Sequence, residues 1–210
     1  MRRTYSIAIT IVVAVALTLA TRADPIGAAQ VPQCVIDVKA SFGASASSGS
    51  RAVDVLVLPD CSAIVGQPRA LTPLEAASVG SAPMVPQQRC SWANRMIGAG
   101  GEGDILTEVT INQTFAYDFV DVLSESHNGT TYNHWPSGWG VISSWIQNMS
   151  STPTATYEVD GGASFSWFGP WHHDKTTHSF AHGAGDCTGD FWHTGAVCTG
   201  CNVRFYIFYL

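Results

Sequence analysis

The fold class is decided by residues 104–122, which read DILTEVTINQTFAYDFVDV. Most residues of one parity between Ile105 and Phe119 are apolar, and those of the other parity, such as Glu108 and Thr110, are polar. Alternation with a period of two is typical of a strand with one buried and one wet face. Because the run is longer than a usual strand, we expect a bend or turn near residues 112–113.

Shorter strands are predicted along the rest of the chain, and Gly-containing turns separate them. Two hairpin turns are predicted, one at Asn128-Gly129 and one at Asp160-Gly161-Gly162. The last stretch is apolar on both faces, which predicts a central strand. Many short strands with such turns predict an all-β fold, an antiparallel sandwich or barrel. The further predicted strands are 35–42, 51–58, 154–159, 163–171, 176–182 and 201–209.

One short helix is predicted near residues 72–80. Thr72-Pro73-Leu74-Glu75 has a capping residue, a proline at the first helical position and a capping-box glutamate. A Pro-containing linker at 82–88 follows. We expect either a small β unit with this helix over 30–83 and a main antiparallel β domain over 84–210, or one continuous domain over 30–210.

Residues 1–29 are predicted to be a signal peptide. Two arginines precede an apolar run at 7–20, and small residues follow, so cleavage is expected after Ala23 or after Ala29. The run is shorter than the ~20 residues that span a bilayer, although a signal anchor is the alternative. We therefore expect a secreted, extracellular protein whose mature chain has no transmembrane anchor.

The charge balance of the mature chain excludes some partners. Cleavage after Ala29 leaves 7 basic and 15 acidic residues. A nucleic-acid-binding protein needs a basic face that displaces counterions. A net-negative chain with few scattered cations predicts no nucleic-acid partner and no electrostatic docking on anionic lipid.

The cysteines fit an exported protein. An even number in an oxidising compartment indicates structural disulfides. We expect Cys34 to pair with Cys61, Cys187 to pair with Cys198 or Cys201, and Cys90 to take the remaining partner. The Cys198–Cys201 CxxC motif precedes a predicted strand, whereas a redox motif should open a helix. The six cysteines are Cys34, Cys61, Cys90, Cys187, Cys198 and Cys201.

Histidines are concentrated in one region, with five of the seven between residues 172 and 193. His178 and His182 share parity on a predicted strand, and His172 precedes them across an expected turn at Asp174-Lys175. Imidazoles on adjacent strands hold zinc or copper in β proteins, and Asp174 or Asp186 could complete such a site. The competing interpretation is a set of ordinary surface histidines.

Tryptophans suggest a second kind of site. Most are expected in the core, but the stretch Trp135-Pro136-Ser137-Gly138-Trp139 is typical of a loop. Exposed indole rings offer flat apolar platforms to sugars or proteins. Trp135 and Trp139 are therefore the predicted ligand-binding residues.

These features favour a non-catalytic binding or structural module for a carbohydrate or a cell-surface ligand. No GxSxG motif is present, and the carboxylates Glu102, Asp104, Glu108 and Glu125 define no acid–base pair. A metal-binding protein or metal-dependent enzyme using the histidines is the first alternative. A pore-forming toxin is the second, because residues 105–141 could supply an amphipathic hairpin. Glycosylation sequons begin at Asn112, Asn128 and Asn148.

Overall fold

A computed structural model describes residues 32–44, 49–77, 87–101, 103–168 and 170–210. The predicted signal peptide, most of the predicted linker and Glu102 lie outside these residues. Within the described ranges, no helix is both long enough and apolar enough to cross a bilayer.

Twelve strands account for most of the described chain, with one short α-helix and one 3-10 turn. The helix α1 is Pro73–Ala77 and the 3-10 turn is Trp135–Ser137. The strands are β1 Pro32–Ala44, β2 Arg51–Val57, β3 Ala63–Val65, β4 Arg69–Ala70, β5 Gln88–Ile97, β6 Ile105–Tyr117, β7 Val122–Asn133, β8 Trp139–Asn148, β9 Thr156–Trp167, β10 Trp171–His182, β11 Cys187–Cys198 and β12 Asn202–Tyr209.

The strands form two antiparallel sheets that pack as a sandwich, which confirms the predicted fold class. The first sheet has the order β1-β11-β10-β9-β8. The second has the order β3-β2-β12-β5-β6-β7, and β4 also pairs with β2. Strands from both sides of residue 83 therefore share each sheet. The predicted central position of the last strand is confirmed, since β12 lies between β2 and β5.

The alternating stretch forms one long strand. Val109, Ile111 and Phe115 of β6 are buried between the sheets. The turn expected near residues 112–113 is wrong, because β6 pairs with both β5 and β7 through that point. The chain instead turns after β6, where the Asp118 amide donates to the Asp121 carbonyl.

Both predicted glycine turns are also wrong, because these glycines allow close packing inside strands. Gly129 lies in β7 opposite Ile111, and a Cβ there would approach Ile146 to 3.0 Å. Gly161 lies in β9, where a Cβ would meet Ile111 of the opposite sheet at 2.9 Å. A missing side chain lets the two sheets approach each other at these positions.

The predicted helix start is confirmed. The Thr72 amide donates to Glu75 Oε2 at 2.6 Å, and the Glu75 amide donates to Thr72 Oγ1 at 3.3 Å, which is the reciprocal capping box. Arg69 forms ion pairs with Glu75 and Asp54, both at 2.7 Å. Hydrogen bonding by Arg69 lowers the pKa of the buried Glu75 to about 2. These interactions hold α1 against the outer face of the second sheet.

Three disulfides connect the described cysteines. The predicted Cys34–Cys61 pair is confirmed. The expectation for Cys187 is wrong: it pairs with Cys90, whereas Cys198 pairs with Cys201 across a tight turn. The Cys90–Cys187 bond joins β5 of one sheet to β11 of the other, and sequence spacing does not encode a contact across the sandwich.

A cluster of basic side chains lies in the core, and we call His173, Lys175 and His193 the buried basic cluster. Each is at most 1% exposed. The Lys175 ammonium donates to Asn94 Oδ1 at 3.0 Å and lies 3.4 Å from His193 Nδ1. The two imidazole rings stack with centroids 4.9 Å apart. Burial is the main reason why the pKa values of all three lie well below their ordinary values.

Candidate functional site

The outward face of the first sheet brings ionisable side chains together in one row. Asp160 of β9 is the register partner of His178 of β10, and His178 is in turn the partner of Asp190 of β11. Gln147 of β8 lies opposite Asp160. We call these four residues the acidic–histidine row. They align because directly opposite residues of antiparallel strands project to the same side.

Glu158 extends this row along β9. One ligand atom from each of Glu158, Asp160 and His178 lies within 4.8 Å of the other two. The His178 Nδ1 to Asp160 Oδ1 distance is 3.9 Å. Asp160 is only 6% exposed, and its Oδ1 accepts no hydrogen bond within the described residues. Burial raises the pKa of both carboxyls, and repulsion between them adds to the rise for Glu158.

Two tryptophans lie in the neighbouring row of the same face. Trp145 of β8 is opposite Gly162, Gly162 is opposite Thr176, and Thr176 is opposite Trp192 of β11. A Cβ on Gly162 would meet the Trp145 indole at 2.9 Å, so this ring lies over the glycine. Trp145 is 43% exposed and Trp192 is partly buried. We call these four residues the aromatic row.

The two rows touch each other at their β10 and β11 ends. The His178 and Trp192 ring centroids are 4.3 Å apart. The Lys39 ammonium lies 5.9 Å from the Trp192 ring centroid, within cation–π range. A depression of about 260 Å³ borders Lys39, Asp190 and Trp192. Apolar platforms and hydrogen-bonding groups therefore meet on one accessible face.

A second depression lies at the open edge of the sandwich, where β6 and β7 approach β8. It holds about 200 Å³, and Thr110, Thr130, Ser144 and Ile146 are among the residues that line it. Within the described residues no charged side chain lines it. It therefore offers fewer specific contacts than the outward face of the first sheet.

The predicted tryptophan pair does not form an exposed platform. Trp139 begins β8 and is fully buried, with its ring centroid 4.4 Å from that of His173. The expectation that it is exposed is wrong, because its strand places it in the core beside the buried basic cluster. Trp135 opens the 3-10 turn, and its side chain lies outside the described part of the structure.

The three predicted metal ligands share a face but do not converge. His172, His178 and His182 all lie on the outward side of β10, as their parity predicts. Six residues of strand separate His172 from His178, roughly 20 Å at the usual rise. His182 is hydrogen-bonded to Thr156 at 3.1 Å and to Thr188 at 2.8 Å. Of the three, only His178 joins a cluster of ligand atoms among the described residues.

Neither of the carboxylates proposed to complete that site lies in the cluster. Asp174 is within β10 and accepts a 2.5 Å hydrogen bond from Ser164. Asp186 lies in the β10–β11 turn, where its carbonyl accepts from the His182 amide. The turn expected at Asp174-Lys175 is wrong, because β10 runs through both residues and buries Lys175.

The other candidate residues are dispersed. Glu108 pairs with Arg95 on the outer face of the second sheet, and Glu125 pairs with His127 of β7. Asp104 lies 3.9 Å from His134. Asn112 donates to Asn128 at 2.9 Å, and Asn128 and Asn148 are exposed.

Sequence reasoning did not single out Glu158, Asp160 and Trp145. The sequence nevertheless contains a pattern that could have indicated the cluster, because Glu158 and Asp160 share parity, as do His178 and His182. The turn assigned to residues 160–162 broke β9 at the position where these side chains meet β10. No protein family, curated protein or solved structure gave a significant match to the chain.

Proposed function

We propose that this protein is an exported, non-catalytic module that binds carbohydrate on the outward face of its first sheet. The observation that carries the proposal is the aromatic row, in which Trp145 and Trp192 flank the small residues Gly162 and Thr176. β8 and β11 are three strand spacings apart, about 14 Å. This separation suits a short oligosaccharide lying across the strands.

The chemistry of the two rows is complementary to a sugar. The apolar faces of sugar rings stack on indole surfaces, which bury large area at little conformational cost. Carboxylates, imidazole and amide groups of the acidic–histidine row supply acceptors and donors for hydroxyl groups. Both rows lie on rigid strands, so little conformational freedom is lost on binding.

The disulfides support the exported part of this proposal. Three disulfides are typical of proteins from oxidising compartments. The predicted signal peptide agrees with them, and extracellular glycans are the ligands that such a protein meets.

The test is a glycan-array screen with protein secreted from an oxidising compartment, followed by calorimetric titration of the best oligosaccharide. We expect Trp145→Ala to weaken binding about 30-fold, because truncating a central aromatic contact costs about 2 kcal/mol. Trp192→Ala should weaken binding in the same direction. Phe168→Ala is the matched control, since Phe168 is an exposed aromatic residue outside the aromatic row, at 73% exposure.

Two outcomes contradict the proposal. One is a folded protein that binds no glycan on the array. The other is binding that Trp145→Ala and Phe168→Ala reduce equally. A liposome-leakage assay on the same protein tests the pore-forming alternative directly.

A further inference from the structure

We propose that Glu158, Asp160 and His178 form a zinc site on the outward face of the first sheet. This proposal does not depend on carbohydrate binding, although Asp160 and His178 also belong to the row that supplies polar groups to the proposed sugar site. The zinc site differs from the histidine trio predicted from sequence, because two of its three ligands are carboxylates of β9.

The donor set favours zinc over the hard divalent cations. Zinc accepts imidazole nitrogen together with carboxylate oxygen, usually with three protein ligands and water in open sites. Calcium and magnesium prefer all-oxygen shells. An imidazole beside two carboxylates therefore suits zinc, and Asp190 on the other side of His178 can orient the ring or complete the shell.

The spacing of the three groups requires only small side-chain movements. Ligand atoms around a tetrahedral zinc lie about 3.4 Å apart at the usual bond lengths. The His178 Nδ1 to Asp160 Oδ1 distance is already 3.9 Å, and all three ligand atoms lie within 4.8 Å. Small rotations of the three side chains can close the difference, since strand register holds their backbones in place.

Asp160 supplies a second, independent indication of a ligand. A carboxylate that is more than nine-tenths buried normally has every oxygen hydrogen-bonded, because an unpaired buried charge is costly. Asp160 Oδ1 has no hydrogen-bond partner within the described residues and faces His178. A cation placed there would satisfy this oxygen and screen the repulsion between Asp160 and Glu158.

The surroundings of His178 also fit a metal ligand. Its ring lies 4.3 Å from the Trp192 ring and 6.4 Å from the Phe180 ring, centroid to centroid. These aromatic neighbours restrict the imidazole and limit water access on two sides. A restricted imidazole loses less conformational freedom when it binds the ion.

The experiment is a calorimetric titration of metal-free protein with zinc chloride at neutral pH and without any sugar, with bound metal counted by elemental mass spectrometry. We expect one equivalent of zinc. Asp160→Asn and His178→Gln should each weaken zinc binding at least tenfold, since altering even the supporting residues of metal sites costs 10–100-fold. Urea midpoints of the variants establish that each is folded.

His182→Gln is the matched control, because it removes an imidazole from the same strand and face but outside the cluster. It should leave zinc affinity unchanged. The proposal is overturned if the wild-type protein binds no zinc, if it binds calcium in preference, or if His182→Gln and His178→Gln have equal effects. Because no sugar is present, failure here is distinguishable from failure of the carbohydrate proposal.

Discussion

Acidification should destabilise this protein through its buried basic cluster. His173 and His193 are fully buried, and their pKa values lie well below the ordinary value of 6.5. Below pH 6.5 the unfolded chain therefore binds protons that the folded chain excludes. Stability is greatest above pH 6.5 and declines as the pH falls towards the folded pKa values.

The size of the effect follows from linkage. Each histidine that stays neutral in the folded protein lowers the free energy of unfolding by about 2 kcal/mol between pH 7 and pH 5, so the two together lower it by about 4 kcal/mol. Lys175 acts in the same direction, because burial lowers its pKa too. This loss is a large share of the 5–15 kcal/mol that stabilises a typical domain.

The assay is urea unfolding at a series of pH values. With a slope of about 2 kcal/mol per molar urea, the midpoint should fall by about 2 M between pH 7 and pH 5. Glu158 and Asp160, whose pKa values are raised, act with the opposite sign, so variants must isolate the histidines. His173→Leu should reduce the dependence of stability on pH by about 1.4 kcal/mol per pH unit below pH 6.5.

His172→Leu is the control, because His172 is the exposed neighbour on the same strand. It should change the pH dependence of stability less than His173→Leu does. The reasoning is refuted if the wild-type midpoint is flat between pH 5 and 7, or if His173→Leu retains the wild-type dependence.

Three further predictions concern stability and the aromatic row. Removing the Cys90–Cys187 disulfide should lower the free energy of unfolding by about 1 kcal/mol more than removing the Cys34–Cys61 disulfide. The two bonds close loops of 97 and 27 residues, for which loop entropy gives about 4.7 and 3.6 kcal/mol. Equal losses of urea midpoint would contradict this prediction. Gly162→Ala should lower the free energy of unfolding by about 1–3 kcal/mol and weaken oligosaccharide binding. The new Cβ would lie 2.7 Å from the Lys175 carbonyl oxygen and 2.9 Å from the Trp145 ring. Gly140→Ala is its control, as no atom lies within 4 Å of that Cβ. Glu75→Gln should lower the free energy of unfolding by about 1–2 kcal/mol at pH 7, which is less than the Glu75 pKa shift alone implies because Arg69 is partly exposed. This loss should shrink as the pH falls from 4.5 towards 2, because the wild-type carboxylate then takes up its proton.

Local patterns in the sequence predicted the elements but not all of their connections. Alternation identified β6, and apolar character on both faces identified β12 as central. The capping box placed the start of α1. Each of these features depends on residues close together in sequence, which is why one sequence was sufficient.

The errors arose where a residue's role is set by distant partners. Asn128-Gly129 and Gly161-Gly162 have turn chemistry, yet these glycines make room for Ile146, Ile111 and Trp145. Once β9 is recognised as continuous, its pairing with β10 through residues 167 and 171 aligns Asp160 with His178. The candidate site was therefore missed because a turn was predicted at residues 160–162, and not because ligating residues were lacking.

The topology also sets an order of events during synthesis. β1 pairs with β11, and β2 pairs with β12, so the first strands made wait for the last ones. Contacts this distant in sequence form slowly, because a long loop must close before they stabilise anything. Neither sheet can complete its hydrogen-bond ladders until nearly the whole chain has been synthesised. A nascent chain with this topology remains unfolded through most of its synthesis, and an unfolded chain is what a membrane translocation channel accepts.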